Sequence, residues 1–199
     1  MLQPPINLVK LTLKFYGEIT FPKWFGDSAF PNIQFICLSG CSYPLSLPPL
    51  GQLPVLQELT IKSMKSVTTV GVEFYSCNGS SVFRPFQSLK KHKFDEMPEW
   101  EEWLPSPGGG NCLDFARLEK LILWKCSKLR GNLPNHLRSL KKPSVSSCEV
   151  LHERVTYYLF LEETFVLGSD LMIFIYVQVR PDLFIKWTNS RRAGPTRPV

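Results

Sequence analysis

Three histidines, His92, His136 and His152, and six cysteines are the groups of this 199-residue chain best suited to hold a metal or move a proton. None of the histidines stands at a metal-ligand spacing from a cysteine or carboxylate. Cys37-x-x-x-Cys41 is accounted for by strand and turn positions, and His92 reads as a partly buried imidazole on a strand. No G-x-S-x-G or H-E-x-x-H occurs. Gly108–Gly110 follows Ser106-Pro107 without a subsequent Lys-Ser/Thr, so it reads as a loop rather than a phosphate cradle. Asp95, Glu96, Glu99, Glu101 and Glu102 surround Trp100 and Trp103 but lack the glycine-containing pattern of a calcium loop. They read as a solvated loop with two tryptophans tucked on a flank, or alternatively as a lateral contact with another domain. Asn78-Gly79-Ser80 fits a glycosylation acceptor and reads as a polar loop in a chain with no secretion signal. The expectation is a binding protein with no catalytic residues, no cofactor and no metal.

The elements that would position these residues follow from a repeat. The pattern L-x-x-L-x-L, with an uncharged residue three places later, begins at Leu8, Ile33, Leu56, Leu89, Leu118 and Leu140. Those starts step by 25, 23, 33, 29 and 22 residues. The two inner positions of each unit alternate as a short strand must, with both pointing to one face. One such strand cannot bury its apolar face alone, but stacked units form a parallel sheet over a continuous core. The later position (Cys41, Met64, Met97, Cys126, Cys148) turns inward. His92 and Pro143 stand where the pattern expects an aliphatic residue. Because proline cannot donate to a ladder, the sixth strand is expected to be weak or to lie at an edge.

Composition agrees. Fourteen of the 17 prolines precede residue 151 and fall between the apolar segments, which excludes long helices and a coiled coil over that region. With 44% hydrophobic and 20% charged residues the chain is ordinary globular material. No stretch approaches the ~20 apolar residues that span a bilayer. The cysteines, in a chain without a signal peptide, are expected to be reduced. The architecture expected for 1–149 is an α/β solenoid, an irregular leucine-rich-repeat horseshoe of about six units. Its concave face would be a short-stranded parallel sheet and its convex side mostly loops and turns. Residues 150–199 form a non-repeat tail in which LMIFIYVQV (171–179) is strand-prone and could cap the solenoid, followed by a disordered end.

Several segments go beyond the leucine spacing: FPKWFGDSAFPNIQFICLSGC (21–41), LPPLGQLPVLQELTIKSM (47–64), VGVEFY (70–75), FQSLKKHKFDEMPEWEEW (86–103) and 115–148. Together they resemble the C-terminal repeats of plant nucleotide-binding, leucine-rich-repeat disease resistance proteins of the coiled-coil class. The resemblance implies a role in innate immunity, in the cytoplasm. The partner it implies is a pathogen effector, a guarded host protein, or the nucleotide-binding domain of a related receptor. No G-x-x-x-x-G-K-[S/T] occurs, so the sequence reads as a fragment or truncated form, with a non-functional remnant as one alternative. A leucine-rich-repeat substrate adaptor of a ubiquitin ligase is another, and a hydrolase carried by the tail a third; neither has its motifs here.

The variable strand positions should face solvent on the concave side. Their basic members are Lys10, Lys14, Lys62, Lys90, Lys91, Lys93, Lys120, Lys125, Lys141 and Lys142, against Glu58, Asp95, Glu96 and Glu119. This surplus of six equals the net charge of the whole chain, +6. Phe15, Phe35 and Trp124 share the face and would be exposed aromatics, a type enriched at interfaces. The expectation is a basic, aromatic-dotted surface for an acidic protein. The bland reading is a lysine-rich solvated edge. Nucleic acid is the weaker alternative, because no RNA- or DNA-binding motif accompanies the lysines.

Overall fold

The computed structural model describes residues 4–26, 30–75, 84–106, 114–130, 133, 134, 137 and 139–151, with only the backbone of Lys142, Pro143, Tyr176 and Val177. Asn78–Ser80, Gly108–Gly110, His136, His152 and the tail beyond Leu151, except 176–177, lie outside the described residues. In chain order the strands are β1 (Lys10–Lys14), β2 (Phe35–Ser39), β3 (Glu58–Lys62), β4 (Thr69–Val70), β5 (Lys91–Asp95), β6 (Glu102–Trp103), β7 (Lys120–Trp124), β8 (Lys142–Ser146) and β9 (Tyr176–Val177). One parallel sheet runs β1-β2-β3-β5-β7-β8-β9, and β4 pairs with β6 in a second, two-stranded sheet. Helix among the described residues is one turn, α1 (Val72–Tyr75), and one 3-10 turn, Leu50–Gln52. This is the leucine-rich-repeat solenoid, with connections made mostly of turns and loops.

The repeat's phase sets the register. Leu11, Ile36, Leu59, His92, Leu121 and Pro143 are successive partners, as are Leu13, Leu38, Ile61, Phe94, Leu123 and Val145. A one-residue slip would turn every core residue outward, so burial locks the alignment. Ile36, Leu38, Leu59, Ile61, Leu121 and Leu123 are all buried, each contributing about 1.5–3 kcal/mol relative to exposure. The two longest steps of the repeat bring extra rings into this core. Phe74, Tyr75 and Phe86 come from the 33-residue step, and Trp100, Trp103 and Phe115 from the 29-residue one. The indole of Trp103 donates to Tyr75 Oη at 2.8 Å, and that hydroxyl donates to Leu104 O at 3.0 Å. Burial raises the Tyr75 phenol well above its ordinary value.

Two local features were not legible as such. The strands β1, β2, β3, β5, β7 and β8 are each followed by a residue with positive φ, respectively Phe15, Gly40, Ser63, Glu96, Lys125 and Ser147, between 52° and 67°. Only one of the six is glycine. The other side chains are held left-handed because their N–H groups are needed. Phe15 N donates to Ser39 O, Gly40 N to Lys62 O, Ser63 N to Asp95 O, Glu96 N to Trp124 O and Lys125 N to Ser146 O. The ladder thus runs one residue past the strand while the chain turns inward toward Cys41, Met64, Met97, Cys126 and Cys148. In LPPLGQLP, Gly51 lies so close to the Tyr75 carbonyl that a Cβ there would collide with it.

Pro143 does not place β8 at an edge, since β7 lies on one side and β9 on the other. The hydrogen-bond phase supplies the reason. Residues equivalent to Lys142 send N–H groups back to the preceding repeat, as Lys91 N does to Gln57 O and Lys120 N to Lys90 O. Alternation then turns the next position forward, so the donor that Pro143 lacks belongs to its outer side. Pairing with β9 begins only after it, at Ser144↔Tyr176.

Candidate protein-interaction surface

Register places the candidate residues in rows across the outer sheet face. The first row is Lys10, Phe35, Glu58, Lys91, Lys120 and Lys142. The second is Thr12, Cys37, Thr60, Lys93, Ile122 and Ser144, and the third Lys14, Ser39, Lys62, Asp95, Trp124 and Ser146. Lys90 and Lys141 precede the first row, while Phe15 and Lys125 stand in the left-handed position after the third. All thirteen candidates therefore fall on or beside one face, although the Lys142 side chain is outside the described residues.

The lysines are not equivalent. Every carboxylate on the face holds one or two of them: Glu58 holds Lys91 (3.3 Å), and Glu119 holds Lys141 (3.0 Å). Asp95 takes Lys93 (2.7 Å) and Lys62 (3.6 Å), and Glu96 takes Lys125 (3.3 Å) and Lys62 (3.9 Å). Lys10, Lys14, Lys90 and Lys120 have no carboxylate partner among the described residues. The pairs made by Glu58, Glu96 and Glu119 are half-exposed, where each contributes about 0–1 kcal/mol and salt screens it. Their effect is to neutralise the centre of the face and leave the positive potential on its first row and at β1.

Asp95, expected in a solvated acidic loop, is a strand residue whose side chain is only 4% exposed. Its Oδ2 meets both lysines, while Oδ1 is buried without a hydrogen-bond partner. Glu96 accepts from Ser63 Oγ at 2.9 Å and from Lys125 Nζ at 3.3 Å. The Ser63 bond first, then Lys125, holds its carboxyl below the ordinary value. Two other members of the acidic cluster bridge repeats on the flank, Glu99 to Lys128 and Glu101 to Arg130. Trp100 and Trp103 are core residues rather than a lateral contact surface.

The three aromatic candidates also separate. Phe15 is 78% exposed, and its ring lies over Gly40, where a Cβ would come within 2.8 Å of it. Phe35 is half-buried. The half-buried Trp124 indole lies beneath two ammonium groups, Lys125 Nζ at 4.3 Å and Lys93 Nζ at 5.9 Å from the ring centroid. Each cation–π contact at such a site is worth roughly 0.5–1 kcal/mol. Ile122, beside Lys93 and Trp124, was not among the candidates because one apolar residue at a variable position has no distinctive signature.

His92 is fully buried, not partly so. Its imidazole is ringed by Phe94 (4.4 Å between centroids), Phe74 and Trp103 (5.9 Å each), Phe115 (6.3 Å) and Phe86 (6.5 Å). Nδ1 donates to Leu59 O at 3.3 Å, which leaves Nε2 as a buried acceptor without a partner. Burial pushes its pKa down to about 4, the Leu59 bond opposing that only in part. It faces the core, not the surface. Among the described residues no group of three or more His, Cys, Asp or Glu side chains gathers to hold a metal. None of their helices is long and apolar enough to cross a membrane.

A family model described as R13L1/DRL21 LRRs matches residues 1–64. Two Arabidopsis thaliana proteins with provisional disease-resistance names match most of the chain. At3g14460 is 40% identical over 149 residues, 74% of this chain and 10% of its own length. RPP13-like protein 1 is 37% identical over 153 residues, 75% of this chain and 14% of its own. Disease resistance protein RGA2 of Solanum bulbocastanum is 29% identical over 143 residues, 70% of this chain and 14% of its own. The chain thus spans about a tenth to a seventh of the length of these relatives. No solved structure matches it.

Proposed function

The chain belongs with the leucine-rich-repeat regions of plant disease resistance proteins, and from that premise we propose that its outer sheet face recognises an acidic protein surface. The observation that carries this reading is the first row of the sheet. Lys91, Lys120 and Lys142 are consecutive partners across β5, β7 and β8; Lys91 is held by Glu58, and Lys120 has no carboxylate partner among the described residues. Like charges side by side on neighbouring strands repel. A fold that keeps such a row gains nothing from it in isolation, whereas an incoming row of carboxylates would relieve the repulsion. Trp124 and Ile122 beside this row offer the partly apolar contact that a protein partner uses and that phosphates do not.

In that role the region is the recognition element of an immune receptor in the cytoplasm. Its partner is a pathogen effector, a guarded host protein, or the nucleotide-binding domain of a related receptor. The activity is binding rather than catalysis. The test replaces the four unpaired lysines together, Lys10→Glu, Lys14→Glu, Lys90→Glu and Lys120→Glu, and measures affinity for a Glu/Tyr copolymer and for duplex DNA at several salt concentrations. The reading expects the variant to bind the copolymer at least about tenfold more weakly, with unchanged circular dichroism and melting temperature. Unchanged copolymer affinity would overturn it. So would tighter binding to DNA with a steep salt slope, which is the signature of phosphate neutralisation.

A further inference from the structure

From the second repeat on, the inward position after each strand is occupied by sulfur, Cys41, Met64, Met97, Cys126 and Cys148, all buried, where the first repeat has Tyr16. Among them only Cys126 and Cys148 are two thiols in adjacent repeats. Each follows its strand by two residues, and those strand ends, Trp124 and Ser146, are partners in the register. The thiols also have the same orientation. Cys126 Sγ lies 3.6 Å from Trp124 O, and Cys148 Sγ lies 3.5 Å from Ser146 O. Equivalent positions of neighbouring strands are about 4.8 Å apart, inside the range of about 4.4–6.8 Å that a disulfide needs between Cα atoms. Both cysteines are free thiols, Cys126 and Cys148 being buried side by side in the last two repeats.

We propose that Cys126 and Cys148 are a redox pair, closed to a disulfide between the last two repeats by a hydroperoxide and reopened by a dithiol. The electron count is simple. The Cys148 thiolate attacks the O–O bond, becoming a sulfenic acid and releasing an alcohol, or water from hydrogen peroxide. Cys126 then attacks the Cys148 sulfur and expels hydroxide, which takes up the Cys126 proton as water. Two electrons leave the sulfur pair and one O–O bond is broken. The order follows from position: Cys148 lies in the outer of the two repeats and is 2% exposed against 0% for Cys126, and its thiol is held below its ordinary value while that of Cys126 is raised. Cys148 is only 2% exposed, so oxidation waits on a local opening at that end of the sheet. Cys37 on the outer face has Thr12 and Thr60 as neighbours, and Cys41 is followed in its column by Met64, so neither has a described thiol to join.

The experiment uses the full chain, purified reduced. It is exposed to millimolar hydrogen peroxide, denatured in N-ethylmaleimide, digested without reductant and mapped by mass spectrometry. The expected product joins the peptides carrying Cys126 and Cys148, two hydrogens lighter than their sum. Dithiothreitol should cleave it, and the melting temperature should rise on oxidation and return on reduction. A Cys148→Ser chain, checked for folding by circular dichroism, should lose the link and the rise in melting temperature together. Recovery of both cysteines as maleimide adducts, of Cys148 as a sulfinic acid, or of either residue linked to another cysteine would overturn the assignment.

Discussion

His92 makes the solenoid's stability depend on pH in a way that can be calculated. In the folded chain its pKa is about 4, against 6.5 for an ordinary histidine, because burial among five aromatic rings leaves the imidazolium without solvent. The folded value is depressed, so the neutral ring's contribution is fully present above the unfolded value and is lost as pH falls toward the folded one. The window runs from about 6.5 down to about 4. Relative to pH ~7.5, linkage predicts a loss of about 1 kcal/mol at pH ~5.5 and about 2–3 kcal/mol at pH ~4.5. The perturbation is His92→Leu, the residue type that the repeat pattern expects there. It removes the titration together with the buried, partnerless Nε2, whose desolvation costs about 1–3 kcal/mol, and forfeits one hydrogen bond to Leu59 O. Urea unfolding of both proteins at those three pH values isolates the term, because every other group titrates alike in the two. The variant should be as stable as the parent or more so near neutrality, with its advantage widening by the calculated amounts on acidification. A difference constant across the series to within about 0.5 kcal/mol would refute the reasoning.

Other substitutions probe the backbone. Gly51→Ala drives a methyl group into the Tyr75 carbonyl and should destabilise by about 1–3 kcal/mol in urea unfolding, with loss of the near-ultraviolet aromatic signal around Tyr75. Ser147→Val places a β-branched residue at φ 55° and should cost about 1–3 kcal/mol, whereas Ser147→Gly should be neutral or slightly stabilising. Equal stability of the two Ser147 variants would argue against the left-handed strand end.

Much of the fold could be read from spacing because a strand's side chains alternate with period two and the core demands apolar residues on one side. Leu59 and Ile61, or Leu121 and Leu123, reveal their face in the sequence alone. The unequal steps of the repeat were also visible, but not that the longer ones supply the rings around His92, since that contact joins residues as far apart as Phe74 and Phe115. The thirteen surface candidates share a face for the same reason of alternation, yet half the lysines are spoken for by carboxylates, all but Lys93 by one from the repeat beside them. Lys91 with Glu58 and Lys125 with Glu96 are 33 and 29 residues apart.

The amino-acid sequence by itself determined the solenoid, the strand positions, the inward sulfur column and the lysine excess, because each is set by local periodicity and composition. Only the tertiary structure decided which lysines remain unpaired, that Asp95 is buried, that Pro143 sits where its missing donor faces outward, and that Cys126 and Cys148 are neighbours. Those outcomes depend on register and on the phase of the hydrogen-bond ladder. Register is a property of packed repeats taken together, set when the whole core is buried at once, and no single segment contains it.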